Sequence, residues 1–248
     1  NNGNIPYIVS AFIGEIGLSI GEVKVDDKSN EITAIPELLD LLDIEGATIT
    51  IDAIGTQEDI VNKIVNKGGH YVLPVKDNQR ILKKEIKSQF DSYNNLLGNP
   101  EVFHKSTVDK DHGRIEEREY YLTYNTSKIT DKEKWNTVNA VAYMRVTRTE
   151  RDETTITDNY YIIDNKIEID KLIDAIRDHW NIECGLHWRL DVILDEDHST
   201  NKVGNSIENL SIIRKIIFNL ASLDNRFGKV PLQRKLTRYM LDFENIEK

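Results

Sequence analysis

A single cysteine, Cys184, stands among 248 residues. No internal disulfide can form, which excludes a stapled secreted scaffold and a cysteine-rich zinc module. Apolar runs are short as well, and none reaches the roughly 18 residues that a membrane-spanning helix needs. The longest candidate, residues 5–20, contains Pro6 and Glu15 and has no basic leader, so it does not read as a signal peptide. The glycine patterns that cradle nucleotides are missing: there is no G-x-G-x-x-G and no G-x-x-x-x-G-K followed by Ser or Thr. The G-x-S-x-G of hydrolase serines is missing too. Positive charge is in deficit, with 32 Lys and Arg against 42 Asp and Glu and a net charge of −10. A protein that coats nucleic acid with its whole surface would be basic, so that class is excluded. The expectation is a reduced, cytoplasmic protein with no membrane segment.

What is present is ordinary globular composition, 39% hydrophobic and 30% charged, with chain enough for one or two domains. The charge is unevenly spread. Residues 26–59 hold ten acids and one base, whereas residues 202–240 hold eight bases and two acids. An acidic front with a basic tail suits a metal site near a polyanion, though charge alone reads more simply as a solvated surface.

Hydrophobic patterning predicts two strands at residues 7–13 and 18–25, joined by the turn Gly14-Glu15-Ile16-Gly17. Pro36 opens a short helix to Leu42. Residues 47–54 (ATITIDAI) read as a buried strand, and Thr56 as the cap of a helix that Gly68-Gly69 stops. A strand at 71–75 precedes a helix from Gln79, capped by Asn78, to about Tyr93. From Asn99-Pro100 the texture changes. Four alternating strands are expected at 103–108, 114–124, 138–147 and 155–163, with one turn at 131–135. Helical spacing returns from Ile169 to about Leu190 along Ala175, His179, Ile182, Leu186 and Leu190. After a polar loop at 195–201 comes an amphipathic helix at 207–223 and a basic tail. The pattern is a mixed α/β layer with an inserted all-β module.

Several residues stand out. Asp52 lies in the most apolar strand, where a carboxylate is costly unless paired or bound to metal. It reads either as a ligand at a strand end or as a cap. Glu183 sits four residues after His179 and four before His187, a helix-borne metal arrangement or a hydrogen-bonded pair. The H-E-x-x-H zinc spacing is absent. Lys76 and Asn78 follow a strand, where Asn78 suits a helix cap and Lys76 a phosphate contact. Asp191, Glu196 and Asp197 add acidity, more in keeping with a solvated or helix-bracing role. Trp180 and Trp188 read as packing residues, and Cys184 shows no sign of activation.

Six blocks occur in order: "VSAF" (9–12), "KSNEI" (28–32), "TIDAIGTQ" (50–57), "YVLPVKDNQ" (71–79), "IRDHWNIECGLHWRLDV" (176–192) and "DEDHST" (195–200). Together they resemble the DDE transposases of bacterial insertion sequences, in the branch containing the H-repeat-associated proteins, over roughly residues 7–223. The resemblance implies an RNase H-like mixed sheet flanked by helices. It divides the chain into core at 1–98, β insertion at 99–166, core with the catalytic helix at 167–223 and basic tail at 224–248. It implies Asp52 and Glu183 as catalytic carboxylates and metal ligands, with Lys76, Asn78, His179 and Arg189 as DNA-binding or accessory residues. Two Mg²⁺ or Mn²⁺ ions are implied as cofactors, and transposon ends and target DNA as partners. A self-associated complex in the bacterial cytoplasm, at the nucleoid, is expected.

The chain departs from the family pattern in three places. An arginine of the wider superfamily is replaced by His179, and the base expected seven residues after the glutamate by Leu190, with Arg189 beside it. The family's first aspartate belongs to an I-D-G-K-like segment before "VSAF", whereas no acid here precedes Glu15. The expectation is therefore a catalytic-core fragment, inactive as it stands. The alternatives are a non-catalytic interaction remnant of a dead element and an unrelated metal hydrolase using His179, Glu183 and His187.

Overall fold

The computed structural model describes residues 8–25, 30–93, 96–111, 113–151, 153–196, 206–226, 228 and 230–241. At Asp111, Asn181, Glu183 and Cys184 the description stops at the backbone. The chain forms two compact units, one of Asn1–Leu42 with Asp178–Lys248, the other of Asp43–Arg177.

The first unit begins with an antiparallel hairpin of β1 (Ile8–Ile13) and β2 (Leu18–Lys24), bulged at Ala11/Phe12. Gly17 at φ +68° closes the expected turn, and the Gly17 N–H donates to the Ile13 carbonyl at 2.8 Å. Gly14 permits a close approach, since a Cβ there would lie 2.9 Å from Asp178. Helix α1 (Glu31–Leu41) packs Leu38 against Gly21. It starts five residues earlier than Pro36 predicted, because Asn30 is extended and its carbonyl accepts from Thr33 and Ala34. Pro36 then lies inside the helix at the loss of one ladder bond.

The second unit is built on a mixed six-stranded sheet, in the order β3 (Thr48–Ile49), β4 (His70–Val75), β8 (Glu153–Ile163), β7 (Ala140–Glu150), β6 (Arg114–Thr123), β5 (Phe103–Asp111). Only β3 and β4 are parallel. The four strands expected between 101 and 164 are all present and extend the sheet from β4. The strand expected at 47–54 shrinks to two residues. Its pairing with β4 covers Thr48 and Ile49 alone, after which the backbone turns into a 3₁₀ turn at Ala53–Gly55.

Three helices flank this sheet. α2 (Glu58–Asn66) buries Ile60, Val61 and Ile64, and Gly68 at φ +75° ends it as expected. α3 (Arg80–Asp91) buries Leu82, Ile86 and Phe90, with Phe90 against Tyr143 of β7 at 5.6 Å. Leu172, Ile173 and Ile176 of α4 (Ile169–Asn181) pack with Tyr120, Met144 and Tyr161. Tyr143 and Met144 are strand neighbours, so α3 and α4 cover opposite sheet faces.

The helical run continues past Asn181 through a π-helical segment, Ile182–His187, into α5 (Trp188–Leu194). Leu186 and Leu190 pack with Phe218, Phe12, Leu194 and Leu232. Trp180 and Trp188 are 58% and 53% exposed, so the packing role read for them is corrected. The apolar face that α4 buries ends at Ile176, and the π segment shifts the phase on which an unbroken α-helical stripe relied.

α6 (Ser206–Leu223) and α7 (Leu232–Leu241) complete the described chain. α6 turns Ser211 and Lys215 inward while Ile213, Ile216 and Leu220 stay exposed. The hairpin surface beneath it is polar: Lys215 Nζ donates to Ser10 Oγ at 2.7 Å, to Ser211 Oγ at 2.9 Å and to Glu22. The loop expected at 195–201 lies, from Asp197 onward, outside the described residues.

Candidate active site

Parallel strands end at the same edge of a sheet, and ligands of open α/β sheets gather beyond those carboxyl ends. Asp52 comes three residues after β3 and Lys76 one residue after β4, so the register of Ile49 with Tyr71 brings them together. Asp52 is not buried in a strand, as its apolar neighbours suggested. Its side chain is 62% exposed and caps the 3₁₀ turn, accepting the Ala53 N–H at 2.6 Å. Lys76 Nζ donates to Asp52 Oδ1 at 3.1 Å and is equally exposed.

The segment after β4 clamps this turn. Asn78 is not a helix cap; its amide donates to the Ala53 carbonyl at 2.6 Å. Gln79 Nε2 donates to the Thr56 carbonyl at 2.9 Å and to Gln57 Oε1 at 3.3 Å. Thr56, fully buried, does not cap α2 either, since its hydroxyl donates to the Pro74 carbonyl at 2.7 Å and Gln57 holds the cap position. The sequence reading makes Thr56 a cap and assigns no site role to Gln57 or Gln79. Bonds between segments some twenty residues apart leave no periodic trace, and the only signal was that both segments belong to blocks of the resemblance.

The other expected residues lie in the first unit. Glu183 is the second residue of the π segment, a rare helical form found mostly as short bulges at functional sites. His179 is in the last turn of α4 and partly buried; His187 ends the π segment and is exposed. Arg189 is exposed, with its guanidinium 5.9 Å from the centre of the Phe218 ring. Asp191 lies in α5, and the Glu196 N–H donates to the Leu190 carbonyl at 3.1 Å. Asp197 is outside the described residues. The structure thus gathers Asp52, Lys76 and Asn78 at one place, and sets Glu183, His179 and Arg189 along one helical run in the other unit.

Among the described residues no group of three or more His, Cys, Asp or Glu converges as a metal site. An exposed carboxylate at a strand end, offering hard oxygen, fits Mg²⁺ or Mn²⁺ better than a soft metal.

This α/β arrangement goes with a clear sequence relationship. The family described as "Transposase DDE domain" matches residues 8–220, and the chain belongs to it. Over 241 residues it is 39% identical to "H repeat-associated putative transposase YhhI" and to "Putative protein YbfL", both of Escherichia coli strain K12; the match covers 95% of this chain and 63% of each relative. "Putative transposase YncI" of Escherichia coli O157:H7 is 39% identical over 218 residues, 86% of this chain and 55% of the relative. The chain therefore spans less than two thirds of the length of these curated relatives. Enzymes of this family cut and join DNA and generally use divalent metal ions. No helix among the described residues is long and apolar enough to cross a membrane.

Proposed function

We propose that this chain carries the catalytic region of an insertion-sequence transposase, an RNase H-like core at 1–98 and 167–223 interrupted by a β insertion at 99–166. Asp52 and Glu183 supply two of its metal-binding carboxylates, and its substrates are the transposon ends and target DNA, engaged in a self-associated complex. The observation that carries this reading is the Asp52 carboxylate, exposed at the carboxyl edge of two parallel strands and fixed by the clamp from residues 76–79. Bound Mg²⁺ or Mn²⁺ would activate an attacking oxygen and stabilise the leaving one at a DNA phosphate.

The chain's own groups do the positioning. Asn78 and Gln79 hold the backbone that presents Asp52. Lys76, His179 and Arg189 supply cationic or hydrogen-bonding contacts to the DNA backbone. The third carboxylate that the resemblance implies belongs to a segment before "VSAF" that these 248 residues do not contain. Three carboxylates offset the mutual repulsion of two divalent ions better than two can.

Nicking of plasmid DNA tests this. The 248-residue chain should leave the plasmid intact in Mg²⁺ or Mn²⁺, and the same chain preceded by an I-D-G-K-like strand segment should nick it. In that longer protein Asp52→Ala and Glu183→Ala should each lower nicking by at least a thousandfold. Nicking that survives both substitutions rejects the site. DNA binding with no cleavage in the longer protein favours a non-catalytic interaction role.

A further inference from the structure

We propose that Lys76 is an exchangeable counter-ion: it occupies Asp52 when no divalent metal is bound, and metal binding drives its ammonium onto a DNA phosphate. The inference rests on Asp52 being a metal ligand.

Three observations lead to it. First, the ammonium lies 3.1 Å from Asp52 Oδ1, the oxygen that already accepts the Ala53 N–H. A divalent ion on that carboxylate would repel a lysine held so close, and the lysine must move. Second, the backbone on either side of Lys76 is anchored while the side chain is exposed and paired with Asp52. β4 holds Val75, and Asn78 and Gln79 are bonded to the Ala53 and Thr56 carbonyls. Lys76 itself is 62% exposed, on a flexible four-carbon stem, so the charge can swing from a fixed base. Third, the neighbouring acid is already engaged by another lysine. Asp77 pairs with Lys83 at 3.0 Å, and that ammonium holds its carboxyl below the usual carboxylate range. The cation released from Asp52 is thus left at the sheet edge where the substrate phosphate must lie, and a compact ammonium binds phosphate as a point charge.

Metal and DNA would therefore bind with positive coupling through one side chain. A brace role predicts otherwise, because a lysine that simply steadies Asp52 would help the metal by ordering its ligand.

Mn²⁺ binding to the 248-residue chain, followed by electron paramagnetic resonance, separates the possibilities. Asp52→Asn should abolish the binding. Lys76→Met, which keeps the stem and removes the charge, should tighten it severalfold. Binding of a short duplex oligonucleotide should strengthen with Mn²⁺ in the unsubstituted chain. In Lys76→Met that gain should vanish, and only with Mn²⁺ present should the slope of log affinity against log salt become shallower by about one ion. Mn²⁺ binding lost in Asp52→Asn but unchanged or weakened in Lys76→Met overturns the exchange and leaves Asp52 as a ligand. A DNA defect in Lys76→Met that is the same with and without Mn²⁺ also overturns it. Binding that does not depend on Asp52, or no binding at all, overturns the metal assignment and the exchange together.

Discussion

Lys215 and Glu22 form an ion pair inside the first unit, their side chains 9% and 10% exposed, with Ser10 and Ser211 completing the network. A buried charge that loses its partner is far more damaging than the pair is stabilising. Lys215→Met should therefore cost about 3–5 kcal/mol, measured by chemical denaturation, and Glu22→Leu added to it should recover most of that loss. Equal stability of the single and double variants would show that the charges do not depend on each other. No spacing or motif in the chain points to this pair. The amphipathic helix expected at 207–223 buries Ser211 and Lys215 beside Phe218 and Ala221, because the hairpin beneath α6 offers Ser10 and Glu22 to the two polar groups. The sequence reading sets Asp52 inside a strand. Its β-branched neighbours have strand chemistry, yet β3 pairs with β4 over two residues because the chain then turns away into the 3₁₀ turn at Ala53–Gly55.

At the level of elements, β5 to β8 were legible because β-branched and aromatic residues recur along runs of nine to eleven residues without helical spacing. Their registers align Tyr121, Tyr143 and Tyr160 across three strands, stacked at 5.4 Å between successive rings. Burial, then the carboxylate of Glu119, pushes the Tyr121 hydroxyl up to about 12 from 10.0. A phenol with a raised folded value favours the folded state fully below its unfolded value and loses that contribution as pH rises through the folded one. Melting temperature should therefore fall between pH 10 and about 12. Tyr121→Phe should flatten that fall, and an identical alkaline profile in the variant would refute the assignment. The π segment was not legible, because the spacing of 179, 182, 186 and 190 satisfies an ordinary helix. Inserting an alanine after Gly185 would turn Leu186 and Leu190 by about 100° relative to the residues before it. The expected cost is about 2–5 kcal/mol, comparable to losing a buried leucine; an unchanged denaturation midpoint would show that the π segment sets no packing phase.

For the whole molecule, the compact units are Asn1–Leu42 with Asp178–Lys248 and Asp43–Arg177. Texture breaks near 99 and 166 follow a change from helices to strands, whereas compactness follows contacts, and β8 hydrogen-bonds directly to β4 across that texture break. Residues 43–177 carry the six strands and the α4 residues Leu172, Ile173 and Ile176 that cover them. Produced alone, they should unfold in one cooperative thermal transition, and a broad, featureless melt would show that they need the rest of the chain.

The Lys215–Glu22 pair also has a consequence in time. Its partners are 193 residues apart, with the whole second unit between them. At roughly 5–20 residues per second, a ribosome needs roughly 10–40 s to deliver the lysine after the glutamate. During that interval the hairpin must wait with its carboxylate hydrated and its α6-facing side bare, while the sheet of the second unit can already close. The nascent chain is thus obliged to finish its middle before its beginning, and a pause in synthesis between residues 177 and 215 would prolong its most vulnerable state.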